Sequence, residues 1–203
     1  MRHMMIAIGM AVFAAPLAAA PALDVPSGRY ASDPTHTSVT WRIKHLGLSN
    51  YTARFAKIEA SVDLDAAAPA NSKLSVTIDA NSVRTDFPFP DKTDFDKEVG
   101  GDARFLNGEK FPQIKFVSTK IVATGAKTAK ITGDLTLRGV TKPVTLDAVL
   151  NGTMPNNPMM KVPVFGISAT GVVHRADFGM TFGAAFLGAD VELLIEAEFR
   201  QAK

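Results

Sequence analysis

Few residues of this chain are of the types that do chemistry, and their spacing favours none of the common sites. The chain has no cysteine and four histidines, and only His36, His45 and His174 follow the amino-terminal segment. By strand parity His45 should point inwards and His174 outwards, which would make them a poor metal pair. Ser168 lies in the sequence G-I-S-A-T-G, which misses the G-x-S-x-G nucleophile motif by one residue. We therefore expect no metal, no cofactor and no enzyme activity.

A few polar residues could instead hold the polar end of a ligand. Arg175 and Asp177 lie just beyond the end of a predicted strand. Arg175 could bind an anionic or carbonyl group, with Asp177 orienting it, or the two could form an ion pair that pins the loop. His45 closes another strand, and a hydrogen-bonded position at a rim is favoured there over a ligand contact. His36, in the sequence D-P-T-H-T-S, is expected to stabilise a turn.

The elements that must position these residues are β-strands. Apolar and polar residues alternate with a period of two in eight segments, which is the pattern of half-buried strands. In residues 132–150 the alternation continues on both sides of a short turn containing Gly139, which predicts an antiparallel hairpin. The eight predicted strands lie within residues 39–45, 53–64, 74–80, 114–116, 131–137, 144–150, 165–173 and 191–199.

Two departures from this alternation predict irregular structure. The inward parity changes between Phe55 and Ile58, which indicates a bulge near Ala56-Lys57. Residues 81–111 contain five phenylalanines and show no alternation. They predict a short helical excursion between the third and fourth strands, with Asp94 as its cap. This segment could be a plug that seals one end of the fold, which we favour slightly, or a gate over a pocket.

Eight antiparallel strands suit a closed up-and-down barrel, which leaves no exposed sheet edge. A two-sheet sandwich has the same alternation and is the alternative. Charged residues such as Arg42, Lys44 and Glu196 would face outwards, which favours a water-facing barrel over an outer-membrane barrel. Small inward residues favour a pocket over a filled interior, although alternating small and large residues could also fit a taper. The small inward residues are Ala53, Ala60, Ala80, Gly133, Ala148, Ala169, Gly171 and Ala197.

Charge and the amino terminus limit the partners and the location. The chain has 22 Lys and Arg against 20 Asp and Glu, a balance that does not favour nucleic acid. A basic start and the apolar run Ile6–Ala19 are typical of a secretory signal peptide rather than of stable membrane insertion. We expect residues 1–22 to be removed, leaving residues 23–203 as a single domain in the periplasm, with secretion as an alternative.

Six motifs follow one another in a fixed order between Tyr30 and Phe199. They are D-P-T-H-T-S at 33–38, H-L-G at 45–47, the strand signature at 75–85, F-P-Q-I-K-F at 111–116, G-D-L-T-L-R-G-V-T-K-P at 133–143 and R-A-D-F-G-M at 175–180. Together they resemble the motifs of the YceI-like family, the lipocalin-like polyisoprenoid-binding proteins of bacterial periplasms. One departure is that residues 99–110 lack the histidine of the family's H-L-R/K-S element.

The resemblance implies an all-β, eight-stranded antiparallel lipocalin-like barrel that encloses an isoprenoid lipid, polyprenyl or quinone-like. Such a protein would carry or sequester the lipid. The alternative is a stress-induced, non-catalytic interaction protein with adventitious lipid binding, and a homodimer is left open. The residues expected to contact the ligand are Trp41, Ile43, His45, Phe55, Val76, Ile78, Phe116, Leu135, Leu137, Leu146, Ala148, Phe165, Ile167, Ala169, Arg175, Asp177, Phe178, Leu193 and Ile195.

Overall fold

The alternating segments form β-strands in the computed structural model, which describes residues 21–202. The predicted signal peptide lies almost wholly outside the described residues and stays a prediction. One α-helix and three 3-10 turns, Pro69–Asn71, Ala80–Ser82 and Arg175–Phe178, complete the described elements. The strands and the helix are β1 (Gly28–His45), β2 (Ser49–Phe55), β3 (Ile58–Leu64), β4 (Lys73–Asp79), β5 (Val83–Arg84), α1 (Phe95–Gly101), β6 (Gln113–Ala123), β7 (Thr128–Leu137), β8 (Val140–Met154), β9 (Val164–His174) and β10 (Leu187–Gln201).

The sheet closes on itself through antiparallel pairing of its first and last strands. The order is β10-β9-β8-β7-β6-β4-β3-β1, and β10 also pairs with β1, so that eight strands form a closed barrel. β2 pairs with the second half of β1 and β3 with its first half, as the pairs Trp41–Ala53 and Tyr30–Val62 indicate. β2 and β3 are therefore one barrel strand interrupted at Ala56-Lys57. The predicted eight-stranded barrel and the predicted irregularity are both confirmed.

β1 begins earlier than the alternation predicts. Extra residues interrupt the alternation within the strand, so its first half does not show the period of two. Its register with β10 shifts between Ser32 and Thr37, so that the sequence D-P-T-H forms an irregularity within the strand. The Asp33 carboxylate accepts hydrogen bonds from the backbone N–H (2.9 Å) and hydroxyl (2.7 Å) of Thr35, and lies 3.3 Å from Nδ1 of His36. These hydrogen bonds, led by that of the Thr35 hydroxyl, hold the pKa of Asp33 below its ordinary value. His36 lies at this register shift inside β1 rather than before the strand, and its predicted turn-stabilising role stays a prediction.

The helical excursion is also confirmed. The Asp94 side chain accepts a hydrogen bond from the backbone N–H of Lys97 at 3.0 Å, which caps α1 at its first turn. The backbone N–H and the hydroxyl of Thr85 both donate to Oδ1 of Asp96, at 2.7 and 2.6 Å. These contacts fix α1 against the end of the barrel, next to β5.

Because successive strands are antiparallel, their connections gather at two ends of the barrel, here called the upper and the lower end. The upper end holds 46–48, 80–112, 138–139 and 175–186. The lower end holds 21–27, 65–72, 124–127 and 155–163. An aromatic cluster lies near the lower end, where the ring of Phe165 packs 5.1 Å from those of both Tyr30 and Phe199. A larger apolar cluster extends through the barrel to the upper end and includes Val99 of α1.

Substitution of Gly133 tests how closely the interior of the barrel is packed around this residue. A methyl group at this position would lie 2.5 Å from the Phe116 ring and 2.6 Å from the carbonyl oxygen of Val117. Because the backbone oxygen cannot easily move, we expect Gly133→Ala to lower the free energy of unfolding by about 1–3 kcal/mol. Gly152→Ala is the matched control, since nothing lies within 4 Å of its added methyl group. Urea denaturation of both variants measures the difference, and equal stabilities would contradict the predicted clash.

Candidate ligand-binding cavity

The barrel interior holds two adjoining cavities that follow one another along its axis. The lower cavity has a volume of about 230 Å³ and the upper cavity about 600 Å³. Pockets for small ligands usually measure about 300–1,000 Å³. Of these two cavities, only the upper one has a volume within that range. Four residues line both cavities and mark the waist between them: Val39, Ile78, Leu135 and Leu193.

The lower cavity is walled almost entirely by hydrocarbon. Ala148 and Ala169 face each other across β8 and β9 and both are buried, which leaves open space where larger side chains would meet. Leu23, Ala70 and Lys127 line the lower end of this cavity. The predicted small inward residues therefore serve two purposes. Four of them line the lower cavity, namely Ala60, Ala148, Ala169 and Ala197. Ala53 and Ala80 instead lie in the apolar core, and Gly133 makes room for the neighbouring Phe116 ring.

The upper cavity lies under the segment that breaks the strand pattern. Phe87, Phe95 and Phe105 of that segment line the cavity rather than fill it. Their rings belong to a connected aromatic series that runs from the surface to the barrel wall. Its successive ring centroids are 5.8 Å apart for Phe89–Phe87, 5.4 Å for Phe87–Phe95, 6.1 Å for Phe95–Tyr51 and 6.4 Å for Tyr51–Trp41.

Arg175 is buried at the upper end and holds the loop that follows it. Its guanidinium donates to the backbone carbonyls of Met180 (2.6 Å), Phe182 (2.8 Å), Leu187 (3.4 Å) and Gly188 (2.7 Å). Burial lowers the pKa of Arg175 from its ordinary value, although an arginine remains charged. The predicted pairing with Asp177 is not what holds the loop. Carbonyl oxygens take the guanidinium donors, while the Asp177 side chain lies exposed.

Two further arginines hold residues 80–112, here called the cover, over the upper cavity. Arg104 pairs with Glu98 at 2.9 Å and with Asp102 at 3.0 Å, and the hydrogen bond with Asp102 raises the pKa of Arg104. Arg138, in the β7–β8 turn, donates to the carbonyls of Ala103 and Phe105 and thereby ties the cover to the barrel. Burial lowers the pKa of Arg138. Hydrogen bonds and ion pairs of these two arginines thus hold the cover in place, and Arg104 also lines the upper cavity.

The predicted ligand residues are largely brought together. All of them line one of the two cavities except Asp177, which is exposed, and Phe178, which is buried in the apolar core. His45 lies at the exposed rim of the upper cavity. His174 points outwards, as predicted, and its Nδ1 lies 2.8 Å from Asp190. That these side chains contact a ligand stays a prediction.

Part of the wall of the upper cavity is formed by residues that were not predicted from the sequence. Phe182 and Phe186, from the loop before β10, line the upper cavity together with Met180 and with Leu187, the first residue of β10. The available signal is the sequence T-F-G-A-A-F-L, which is apolar but has neither strand nor helix periodicity. An apolar segment without periodicity does not by itself indicate where its side chains lie. It predicts a contribution to the mouth of a cavity only when the strands around it are known to form a barrel.

Two buried polar atoms have no hydrogen-bond partner among residues 21–202, namely Oγ1 of Thr37 and Nε1 of Trp41. Both belong to residues that line a cavity. In the same part of the chain, no group of three or more His, Cys, Asp or Glu side chains is arranged to hold a metal ion. Nor does any helix between residues 21 and 202 have the length and apolarity needed to cross a membrane.

A closed eight-stranded antiparallel barrel around an apolar interior belongs to the lipocalin-like class of folds. Residues 30–199 match the model of the YceI-like domain, and the chain belongs to the YceI-like family. A UPF0312 protein of Pseudomonas putida strain W619 is 38% identical over 162 residues, which cover 79% of this chain and 80% of that protein.

Two solved structures have the same fold. The YceI protein of Campylobacter jejuni superposes with a TM-score of 0.64 at 29% identity, covering 79% of this chain and 91% of that chain. A polyisoprenoid binding domain from Saccharophagus degradans, implicated in plant cell wall breakdown, superposes with a TM-score of 0.58 at 14% identity. That match covers 85% of this chain and 98% of that chain.

Proposed function

We propose that this protein binds a long-chain isoprenoid lipid, polyprenyl or quinone-like, and carries or sequesters it inside the barrel. The observation that carries the proposal is the pair of adjoining apolar cavities along the barrel axis. Membership of the YceI-like family and the polyisoprenoid-binding neighbour support it. No nucleic-acid partner is proposed, and the binding step itself requires no reaction.

The dimensions and the chemistry of the interior suit a hydrocarbon chain. β10 has 15 residues, so it extends about 50 Å along its length and rises roughly 35–40 Å at a typical barrel tilt. Moving hydrocarbon from water to an apolar site contributes about 0.8 kcal/mol per buried CH₂ group. Several isoprene units in contact with the two cavities would therefore be held tightly without any polar contact.

The head group is proposed to lie in the upper cavity and the tail in the lower one. Polar side chains border the upper cavity: His45 and Arg104 at its rim, and Tyr51 and Trp41 deeper in its wall. The lower cavity has few polar groups apart from those at its open end. A buried polar group without a hydrogen bond costs about 1–3 kcal/mol, so a polar head is better placed in the upper cavity.

The proposed location is the periplasm. It rests on the predicted signal peptide at residues 1–22 and fits the proposed cargo. A long isoprenoid is poorly soluble in water, and a barrel that encloses it would let it leave one membrane without aggregating.

Extraction of the purified protein tests the proposed function. The protein is purified without detergent from its native host and extracted with organic solvent, and the extract is analysed by mass spectrometry. We expect one recurrent isoprenoid in a near-stoichiometric amount. An extract with no lipid, or with a random set of membrane lipids, would instead favour the alternative of an interaction protein with adventitious lipid binding.

A further inference from the structure

Large apolar side chains are exposed around the upper cavity, at the end of the barrel where the cover lies. These residues form what is here called the apolar rim. Leu48 is 85% exposed and Leu46 is 57% exposed, although both are leucines in a folded domain. A cluster of exposed apolar side chains of this kind often marks a binding surface. The rim consists of Leu46, Leu48, Phe89, Phe182 and Phe186.

The β1–β2 hairpin places its two leucines outwards at a cost to the backbone. The backbone N–H of Leu48 donates to the carbonyl of His45 at 2.9 Å, and both central residues have positive φ, 52° for Leu46 and 71° for Gly47. Turns of this type prefer Asn-Gly or Asp-Gly because a bulky side chain is strained at positive φ. Packing does not explain the leucine, since most of its side chain is in solvent. Backbone strain at an exposed site is better explained by a role in binding.

The rim is continuous with the walls of the upper cavity. The backbone N–H of Leu46 donates to the carbonyl of Phe186 at 2.7 Å, which joins the hairpin to the loop before β10. The ring of Phe182 lies 6.0 Å from that of Phe186 and 5.3 Å from that of Phe105, which lines the cavity. In the opposite segment Phe89 contacts Phe87, another cavity residue. A hydrocarbon chain at the rim would therefore meet apolar contacts all the way into the barrel.

The charges at this end favour a neutral surface. The connections at the upper end together contain seven Lys and Arg against eight Asp and Glu. The guanidinium of Arg104 lies 5.1 Å from the Phe182 ring, but Glu98 and Asp102 already pair with it. The amino group of Lys92 lies 4.9 Å from the Phe89 ring. Cations beside exposed aromatic rings suit a lipid interface, whereas an anionic surface would call for an excess of basic residues, which this end does not have.

We propose that the apolar rim docks on a zwitterionic phospholipid bilayer, with Leu46 and Leu48 entering the boundary between head groups and acyl chains. Docking would let the lipid pass between the bilayer and the upper cavity without crossing water. This role rests on the proposed function for its cargo, because only a membrane-resident ligand requires such a contact. A ring of side chains around an opening suits a fluid bilayer better than a protein partner, which would need about 800 Å² of well-packed surface.

Flotation with phosphatidylcholine vesicles free of isoprenoid tests the docking. The variant is Leu46→Asn combined with Leu48→Ser, and the control is Met159→Ser, which removes an 80% exposed side chain at the lower end. We expect the wild type and the control to float with the vesicles and the double variant to bind about tenfold more weakly. Asn tolerates positive φ, so the double variant should be at least as stable as the wild type.

A second measurement separates docking from cargo binding. A short-chain fluorescent polyprenyl probe is titrated in vesicle-free buffer, and its transfer from vesicles is followed by stopped flow. The double variant should bind the soluble probe with unchanged affinity but take it from vesicles about tenfold more slowly. Three results would overturn the proposal: a wild type that does not float, a control that weakens as much as the double variant, or a wild-type dimer that the double variant dissociates. Failure of the wild type to bind the soluble probe would instead count against the proposed function.

Discussion

Replacing both Ala148 and Ala169 with phenylalanine should lower the affinity for a long polyprenyl probe by about 100- to 1,000-fold. The two alanines face each other inside the lower cavity, whose volume is about 230 Å³. Two phenyl rings there would displace the hydrocarbon of about one isoprene unit, whose five carbons contribute roughly 4 kcal/mol. The fold should persist, because the added rings occupy open space rather than a filled core. Fluorescence titration and thermal denaturation measure the two effects.

Val172→Phe is the matched control for this cavity-filling pair. Val172 lies on β9 like Ala169, but it is exposed on the outer face and lines neither cavity. The control should therefore bind the probe like the wild type. Equal binding by the Ala148→Phe/Ala169→Phe variant and the wild type would mean that the tail lies outside the lower cavity. A comparison of short and long probes refines the test, because only a tail that passes the waist reaches the substituted residues.

The barrel was predictable from the sequence because each strand has one wet and one dry face. Period-two alternation identified the inward residues, and all the predicted ligand residues on strands line a cavity. Strand ends were less predictable. β1 begins at Gly28 rather than near Val39, since the register shift between Ser32 and Thr37 interrupts its alternation. β6 continues to Ala123 through a register shift at Ser118–Lys120, which conceals its second half.

The mouth of the cavity was less predictable than its walls. Phe182 and Phe186 belong to a loop without periodicity, and only the closed barrel brings Phe182 next to Arg104 and Phe105. The partners of Arg175 are backbone carbonyls, which every residue possesses and which no sequence motif can identify. The two sequence-based interpretations of Arg175, a head-group contact and a loop-pinning residue, were therefore equal until its hydrogen bonds were known.

Arg175→Ala should lower the free energy of unfolding by about 2–4 kcal/mol. The substitution removes the hydrogen-bond donors of four backbone carbonyls at a site where the side chain is buried. Each buried carbonyl left without a donor costs about 1–3 kcal/mol, and relaxation of the loop towards water recovers part of that cost. The free energy of unfolding of Arg175→Lys should lie between those of the wild type and Arg175→Ala, since an ammonium group cannot reach the same set of carbonyls. Arg42→Ala is the control, because its ion pair with Glu192 is exposed and should be worth less than about 1 kcal/mol.

The ligand dependence of Arg175→Ala separates its two interpretations. If the guanidinium only holds the loop, the backbone amides near Phe186 should exchange hydrogen faster in Arg175→Ala than in the wild type. The affinities for a head-bearing isoprenoid and for a head-less hydrocarbon of equal length should then fall by the same factor. This is the expected result, because four of the five N–H donors of the guanidinium already have carbonyl partners. Unchanged stability together with a selective loss of the head-bearing ligand would contradict it, and would make Arg175 a direct head-group contact.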